Sequence, residues 1–298
     1  MEAPLVSVLM TAYNRQQYIG EAIESVLAST YKNFELIIVD DCSADGTFEI
    51  AKKFEQTDNR ISVYKNKNNQ GQFKNRNIAA SFAKGEYIKY FDSDDVMNKD
   101  LLKITMQAMQ SFPQASVGIE CRWPKIPRAK LPVLFSSREA YVNHFFKGND
   151  FLHYGPSSSV VRKTLFEDCN GYDEGVGILA DTLLMLQLAA KSPIVGYEPD
   201  LFHWRRHEGQ VTVEQDNYYA MFCQRHHINT VILNSKIPFT ADEVEIVKQN
   251  FRNIFLRNIF SYISSIRSPK KIYNMFRIMD IRLVDLFKTL SKNTMVEY

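Results

Sequence analysis

Short apolar runs alternate with amphipathic stretches over the first hundred residues of the chain. The runs are rich in β-branched side chains, which is typical of buried strands. They lie at residues 4–10, 34–39, 61–64 and 87–91. The stretches between them carry apolar residues at helical spacing and predict helices at residues 17–29, 44–54 and 73–83.

Strands that alternate with helices predict an α/β fold, a mostly parallel sheet with helices on both faces. Ligands of such sheets bind outside the carboxyl ends of the strands. Three polar segments, residues 11–15, 40–43 and 92–95, directly follow predicted strands. We therefore expect them to converge on one edge of the sheet and to form a ligand site there.

The rest of the chain divides into a less regular middle and a helical end. In the middle, residues 181–191 predict a helix and residues 194–197 a strand. The prolines within residues 123–132 predict a loop or a sheet edge. From about residue 215 onward the apolar spacing is mostly helical.

Composition and charge are those of a globular protein. The chain has 298 residues, of which 45% are hydrophobic, and its formal net charge is +2. A core of substantial size is therefore expected, and the near-neutral balance argues against a nucleic-acid partner. The four cysteines are far apart and form no CxxC pair, which indicates a reducing compartment and neither a disulfide framework nor a zinc site.

Targeting signals are not evident in the sequence. The N-terminus has no basic leader and the chain has no run of about 18 apolar residues, so we expect a cytoplasmic protein without a signal peptide or membrane span. Residues 250–298, however, contain nine Lys or Arg and three acidic residues, a net charge of +6. These helices either contact the inner face of the cell membrane peripherally or form an ordinary helical cap with a basic solvated face.

The acidic residues after two strands are candidates for chemistry. Asp92, Ser93 and Asp94 end the sequence YIKYFDSD, and one carboxylate there can reach a hard cation while the other reaches a ribose hydroxyl. Mg²⁺ and Mn²⁺ take oxygen ligands and complete their shell with substrate phosphates. Asp40 and Asp41 end the second strand and can accept from a nucleobase or ribose. A solvated turn or a helix cap is the alternative for both segments.

These motifs resemble the family-2 glycosyltransferases. The resemblance is carried by VSVLMTAYNRQQYIGEAIESVLASTYKNFELIIVDDCSADGT at residues 6–47 and by NNQGQFKNRNIAASFAKGEYIKYFDSDD at residues 68–95. It implies the GT-A fold, a Rossmann-like α/β/α domain. On that basis we expect a nucleotide-sugar-binding half at residues 1–105, an acceptor-binding half at residues 106–214 and a C-terminal helical extension at residues 215–298.

The resemblance also implies roles for single residues of the first half. The implied nucleotide-sugar contacts are Thr11, Ala12, Tyr13, Asp41, Asp92, Ser93 and Asp94. Within that set, Asp41 would read the base, Tyr13 would offer a stacking face, and Asp94 would bind the metal. Further candidate phosphate contacts, with plain helix-surface charge as the alternative, are Arg15, Lys74 and Arg76.

The second half resembles the family through residues 171–212, which contain a helix that opens near Asp181. The family has its catalytic base there, next to a glutamate that is replaced by Ala180 in this chain. An acidic residue favoured by the helix dipole is the alternative for Asp181. His207 matches a late histidine of the family and would approach the metal or the diphosphate, with a structural histidine as the alternative.

The implied activity is non-processive transfer of a sugar from a nucleotide sugar, by family habit a UDP-sugar, to an acceptor hydroxyl with inversion. Asp181 would be the base, and Asp94 with His207 would hold Mn²⁺ or Mg²⁺ against the leaving diphosphate. The transferred group would be a hexose or an N-acetylhexosamine. The expected acceptor is a saccharide or lipid-linked saccharide in bacterial polysaccharide or glycan assembly.

Three other classes fit parts of the sequence. A sugar-1-phosphate nucleotidyltransferase needs a glycine-rich basic loop after the first strand, and TAYNRQQ has no glycine before Gly20. A processive synthase resembles QxxRW sequences flanked by membrane spans, and here only the sequence His203-Trp204-Arg205 is present. A catalytically inactive nucleotide-sugar-binding module is the main alternative, which the presence of both Asp94 and Asp181 disfavours.

Overall fold

The computed structural model describes residues 3–122, 126–147, 151–153, 155–207, 218–266 and 268–279. The chain divides into two compact units, Met1–His207 and Glu208–Tyr298. The first unit contains a central sheet, and the described part of the second unit consists of helices and their connections.

The first unit is built on an eight-stranded sheet and a separate two-stranded ribbon. The strands are β1 Val6–Ala12, β2 Phe34–Asp40, β3 Ile61–Lys65, β4 Tyr87–Tyr90, β5 Val96–Met97, β6 Val117–Glu120, β7 Val133–Phe135, β8 Ser159–Arg162, β9 Ile194–Tyr197 and β10 Phe202–His203. The sheet has the order β3-β2-β1-β4-β8-β6-β9-β7, and β5 pairs with β10 in the ribbon.

The sheet is mostly parallel. Strands β3, β2, β1 and β4 are parallel neighbours, and so are β6 and β9. Strand β8 runs antiparallel to both β4 and β6, and β7 runs antiparallel to β9. The predicted α/β class is therefore confirmed, and each of the four strands predicted in the first hundred residues is present within two residues of its expected ends.

Helices cover both faces of the sheet. Those of the first unit are α1 Ile19–Leu27, α2 Thr47–Glu55, α3 Gln72–Ser81, α4 Leu101–Ser111, α5 Ser137–Phe145, α6 Lys163–Asp168 and α7 Ala180–Lys191. Buried residues of α1 and α4 share one core cluster with alternate residues of β1 and β2. On the other face, Leu184 and Leu188 of α7 line a small cavity with Ile88 of β4.

The middle of the chain departs most from the sequence pattern. Strands β6 and β8 are not predicted, because neither shows a clear alternation of polar and apolar side chains or a continuous apolar run. Of the loop predicted at residues 123–132, residues 126–132 are described and contain one short 3₁₀ turn, Arg128–Lys130. Residues 123–125 lie outside the described part.

The second unit contains α8 Tyr218–Leu233, α9 Ala241–Ile266 and α10 Pro269–Ile278. Phe255, Leu256 and Met275 are buried together between α9 and α10. The helical character of the C-terminal region is confirmed over these residues, and residues 280–298 lie outside the described part. None of the described helices combines the length and the apolar character that crossing a bilayer requires. The predicted boundaries at residues 105 and 214 stay predictions.

A substitution at Gly85 can test how closely the segment before β4 approaches the backbone at the start of β1. A Cβ at this position would lie 2.6 Å from Ser7 N in β1 and 2.7 Å from Leu5 O just before β1, both backbone atoms. We expect Gly85→Ala to lower the free energy of unfolding by about 1–3 kcal/mol, because a packed sheet cannot move aside for the methyl group. Urea unfolding monitored by circular dichroism measures this change.

Gly20→Ala is the matched control. Gly20 lies in helix α1, and its Cβ would lie 3.8 Å from Ile50 Cγ2 of helix α2, an ordinary van der Waals contact. Alanine there should stabilise the protein by about 0.5–1 kcal/mol, since glycine is the poorer helix former. If Gly85→Ala left stability unchanged or raised it as Gly20→Ala is expected to do, the close approach at Gly85 would be refuted.

Candidate active site

The carboxyl ends of β1, β2 and β4 meet at one edge of the sheet. Ala12 pairs with Asp40 at the ends of β1 and β2, and Ala12 O accepts the Asp41 N–H at 2.8 Å. On the other side of β1, Leu9 O accepts the N–H of Phe91 at 2.9 Å, directly before Asp92. The predicted convergence of the three polar segments is therefore confirmed.

Asp41 is buried and organises the loop at residues 66–71. Its Oδ1 accepts Asn66 Nδ2 at 2.7 Å and the Gln70 N–H at 2.8 Å. Its Oδ2 accepts the Gly71 N–H at 2.9 Å, and Gly71 has a φ of +83°, a conformation that favours glycine. The carboxylate thus shapes the polar loop that opens α3, and its contact with a nucleobase stays a prediction.

Tyr13 projects from the end of β1 with 47% of its surface exposed. Asn14 follows in the left-handed conformation with a φ of 53°, and its Oδ1 accepts the Ala44 N–H at 2.9 Å. The backbone next to Tyr13 is therefore fixed, while its ring is accessible to a ligand. The two predicted contacts that precede Tyr13 differ in exposure: Thr11 is partly exposed, and Ala12 is buried.

Asp94 lies between an arginine and a histidine. Its Oδ2 is 3.0 Å from Arg15 Nε and 3.0 Å from His207 Nε2. The ring of Tyr18 stacks on His207 at 4.4 Å between centroids. The structure therefore brings together the two predicted metal ligands, although 113 residues separate them in the chain. Ser93, between the two aspartates of the motif, is buried.

Asp95 anchors the segment that carries His207. Its Oδ1 accepts the N–H of Arg205 at 3.1 Å, and the residue is only 1% exposed. Burial, together with repulsion from Asp92, raises the pKa of Asp95 to about 7. The bond to the Arg205 backbone holds the end of the first unit against the acidic turn, which places His207 beside Asp94.

A divalent ion fits beside Asp94 by chemistry and by spacing. Carboxylate oxygen and imidazole nitrogen are both suitable ligands for Mn²⁺. Two such atoms 3.0 Å apart have about the separation of neighbouring ligands in an octahedral shell with bonds of about 2.1 Å. Within the described residues no cluster of three or more His, Cys, Asp or Glu forms, so phosphate oxygens or water would complete the shell. Arg15 donates to the same oxygen of Asp94. An ion at this place would therefore either share the oxygen with Arg15 or replace the hydrogen bond from Arg15.

Arg76 joins Asp92 to Asp181. Its NH1 donates to Asp181 Oδ1 at 3.0 Å, and its NH2 donates to Asp92 Oδ1 at 3.1 Å. The guanidinium also lies near the rings of Phe73 and Tyr172, with its Cζ 5.6 and 5.7 Å from their centroids. Arg76 is 3% exposed, so the helix-surface alternative for this residue is wrong. Lys74, two residues earlier on α3, is exposed.

Asp181 lies in the first turn of α7, in a setting that raises its pKa. Burial raises its pKa to about 6; the Arg76 guanidinium opposes the shift, and the nearby Asp92 carboxylate adds to it. The same two carboxylates raise the pKa of Arg76 above its ordinary value, against the effect of burial. Ala180, at the position where the resemblance implies a glutamate, is fully buried. A carboxyl group with a pKa near neutrality is suited to accept a proton from a hydroxyl.

Ser157 completes the setting of Asp92. Its Oγ donates to Asp92 Oδ2 at 2.9 Å and accepts the Asp92 N–H at 3.1 Å. Both oxygens of the Asp92 carboxylate are therefore held, one by Ser157 and one by Arg76. The sequence gives no signal for Ser157, since it lies in a run of three serines with no motif around it.

The model of the family described as glycosyl transferase family 2 matches residues 7–169, more than half of the chain. This chain is a member of glycosyl transferase family 2. TuaG of Bacillus subtilis (strain 168), named for teichuronic acid biosynthesis, is 42% identical over 106 residues, 36% of this chain and 42% of TuaG. An uncharacterised glycosyltransferase of Rickettsia felis is 31% identical over 246 residues, 80% of this chain and 39% of the relative. The chain thus spans less than half the length of these relatives.

Solved structures agree on the GT-A fold of this family member. The TarS structure from S. aureus in complex with UDP-GlcNAc has a TM-score of 0.70 at 20% identity, and the match covers 95% of this chain and 81% of TarS. The mannosyltransferase PcManGT of Pyrobaculum calidifontis, in complex with GDP-Man and Mn²⁺, has a TM-score of 0.56 at 15% identity, covering 100% and 89% of the two chains. At these identities the similarity establishes the fold alone.

The pairing of Asp94 with His207 yields a prediction on metal binding. We expect Asp94→Asn to weaken the binding of Mn²⁺ in the presence of UDP by about tenfold or more, because a neutral amide is a poorer ligand than a carboxylate. Titration of free Mn²⁺ by electron paramagnetic resonance measures this. Asp168→Asn, at an exposed position, should bind as the unaltered protein does. Equal Mn²⁺ affinity in both variants would exclude Asp94 as a ligand.

Proposed function

We propose that this protein is a non-processive, inverting glycosyltransferase that moves a sugar from a nucleotide-sugar donor to an acceptor hydroxyl. The observation that carries the proposal is the position of Arg76 between Asp92 and Asp181. Asp92 belongs to the acidic turn expected to face the donor, and Asp181 is the expected base. One guanidinium therefore lies between the group that would hold the donor and the group that would activate the acceptor.

Asp181 is suited to be the general base of the displacement. The acceptor hydroxyl would attack the anomeric carbon in line with the departing diphosphate oxygen, and the Asp181 carboxylate would take the hydroxyl proton. The raised pKa of this carboxyl, about 6, increases its affinity for that proton while leaving most of the population ionised at neutral pH. Arg76 orients the carboxylate, since it donates to Asp181 Oδ1 and leaves Oδ2 for the hydroxyl.

Asp94, His207 and Arg15 are the proposed groups at the diphosphate. A divalent ion, Mn²⁺ or Mg²⁺, held by Asp94 and His207 would supply positive charge against the leaving group. Arg15, which donates to Asp94 Oδ2 at 3.0 Å, would contribute a second positive charge at the same place. Support for the ion comes from the spacing of Asp94 and His207 and from the Mn²⁺ in the PcManGT complex.

The proposed donor is a UDP-sugar carrying a hexose or an N-acetylhexosamine. TarS, whose fold this chain shares, is bound to UDP-GlcNAc. The exposed ring of Tyr13 and the Asp41 loop are the proposed contacts of the uridine, with Thr11 and Ala12 beside them. Ser93 and Asp92 would follow along the ribose and diphosphate.

The proposed acceptor is a saccharide or lipid-linked saccharide in bacterial polysaccharide assembly. The similarity to TuaG, named for teichuronic acid biosynthesis, supports a polymer of the cell surface as the product. A catalytically inactive nucleotide-sugar-binding module is the competing function. The arrangement around Asp181 favours the enzyme, because a binding module would not require a partly buried carboxyl of raised pKa beside the donor site.

A conservative change at the base separates enzyme from binding module. We expect Asp181→Asn to lower the turnover of UDP-sugars by about 10²–10⁴-fold, since the amide cannot accept the proton, while UDP affinity changes by less than about threefold. Release of UDP from a panel of hexose and N-acetylhexosamine donors with Mn²⁺ measures turnover, and calorimetry measures affinity. The exposed Asp173→Asn is the control. A protein that binds UDP but turns over no donor of the panel would be the binding module.

The pH dependence of that turnover follows from the same carboxyl. The base must be ionised, so kcat should be constant above the Asp181 pKa of about 6 and fall tenfold for each unit of pH below it. A rate that stayed constant down to pH 4.5 would show that a carboxyl with an ordinary pKa, or no carboxyl, is the base.

Peripheral membrane contact through the C-terminal helices is part of the proposal. Helix α10 exposes Lys270, Lys271 and Arg277, and Tyr273 is 68% exposed among them. Basic side chains around an exposed aromatic ring suit an anionic lipid surface. An enzyme with a lipid-linked acceptor would meet its substrate there, whereas an ordinary helical cap would show no such binding.

Charge reversal on α10 tests the membrane contact. We expect Lys270→Glu with Lys271→Glu to weaken binding to vesicles containing phosphatidylglycerol by about tenfold or more, since each basic residue near the surface contributes about 1 kcal/mol. Vesicle co-sedimentation at physiological salt measures this. The control reverses two exposed lysines elsewhere in the same unit, Lys236 and Lys248. An equal loss of vesicle binding in both double variants would indicate that the overall charge, and not the basic face of α10, is responsible for the binding.

A further inference from the structure

Strand β4 contains a lysine that is completely buried. Lys89 is 0% exposed and lies between β1 and β8 in the interior of the sheet. A charged group in such a place is costly unless it is paired and hydrogen-bonded. Burial lowers the pKa of Lys89 to about 8, and attraction to Glu120 and Asp92 opposes that shift. The hydrogen bonds of its ammonium group therefore indicate the role of Lys89.

The ammonium group of Lys89 holds the backbone at the start of β8. Its Nζ donates to Ser157 O and to Ser159 O at 3.1 Å. The carbonyl between them, Ser158 O, accepts the Tyr197 hydroxyl at 3.0 Å. Three successive carbonyl groups of this segment are thus bound by buried side chains of β4 and β9. Hydrogen bonds from an ammonium group are stronger than those from a neutral donor.

The segment held in this way carries the hydroxyl that fixes Asp92. Ser157 Oγ donates to Asp92 Oδ2 at 2.9 Å and accepts the Asp92 N–H at 3.1 Å. A displacement of the Ser157 backbone would move this hydroxyl and release both contacts. The other oxygen of Asp92 binds Arg76, so the same displacement would change the setting of the proposed base.

We infer that Lys89 is a positioning residue for the donor site: by binding the Ser157 carbonyl it holds the Ser157 hydroxyl against Asp92. Its effect on a nucleotide ligand rests on the proposed function, whereas its effect on Asp92 does not. Glu120, which is also 0% exposed, supplies the opposite charge from β6. Attraction to this carboxylate offsets part of the cost of burying the ammonium group, and Glu120 Oε2 also accepts Arg122 NH2 at 3.0 Å.

The test removes the lysine together with the nearby buried negative charge. Lys89→Met is combined with Glu120→Gln, so that both buried charges are lost together. Glu120→Gln alone is the matched control, because it keeps the bonds from Lys89 to the carbonyls. Ser157→Ala removes the proposed link, and the triple variant completes the cycle. If the Lys89→Met combination does not fold, Lys89→Gln in the Glu120→Gln background takes its place with the same expected outcomes.

Amide hydrogen exchange at Asp92 decides the inference without any ligand. The Asp92 N–H donates to the Ser157 hydroxyl, so it should exchange at least tenfold faster in the Lys89→Met/Glu120→Gln protein than in Glu120→Gln. A merely structural loss would instead raise exchange throughout the sheet, including the amides of β2. Exchange at Asp92 equal to that of the control, or faster exchange shared by all strands, would overturn the inference.

Binding of UDP with Mn²⁺ adds the functional readout. We expect Glu120→Gln to bind within twofold of the unaltered protein, and both Ser157→Ala and the Lys89→Met combination to bind about tenfold more weakly. The triple variant should bind no more weakly than either, because Lys89 acts through Ser157. Additive losses would overturn this coupling. Absence of UDP binding by the unaltered protein would refute the proposed donor instead, and the exchange measurement would still decide the role of Lys89.

Discussion

The charge of one buried guanidinium governs the arrangement of the candidate site. Arg76 is almost inaccessible to water, and a buried cation is tolerated only when it is paired and fully hydrogen-bonded. The turn after β4 and the start of α7 supply the two carboxylates that do so. Since 105 residues separate Arg76 from Asp181, this requirement connects helix α3 with helix α7, two elements far apart in the chain.

A second group of opposite charges surrounds Asp94, and its arginine is more accessible than Arg76. The side chain of Arg15 is 20% exposed, so a ligand can reach it. Arg76, at 4% for its side chain, cannot move without breaking its ion pairs with Asp92 and Asp181. The site therefore combines a fixed part, which orients the proposed base, with an adaptable part where a diphosphate and its counter-ion would be received.

Much of the fold and part of the site could be predicted from the sequence. The strands β1 to β4 are clear because buried parallel strands are continuous apolar runs, and their ends carry the acidic residues. Arg76 could not be assigned a buried position, because its helix QFKNRNIAAS places polar residues on every side. The roles of Lys89 and Ser157 could not be predicted from the sequence either. A lysine in a strand and a serine in a loop are both ordinary at a surface, and only the tertiary arrangement brings them to Asp92.

The reversed direction of β8 has a consequence for how such a site can be assembled. In a purely parallel sheet, only residues that follow a strand lie at the functional edge, because every strand begins at the opposite edge. Strand β8 runs the other way beside β4, so the residues that enter it arrive at the functional edge. The antiparallel strand therefore allows residues that precede a strand to lie beside residues that follow one. Both kinds of segment can then contribute side chains to the site.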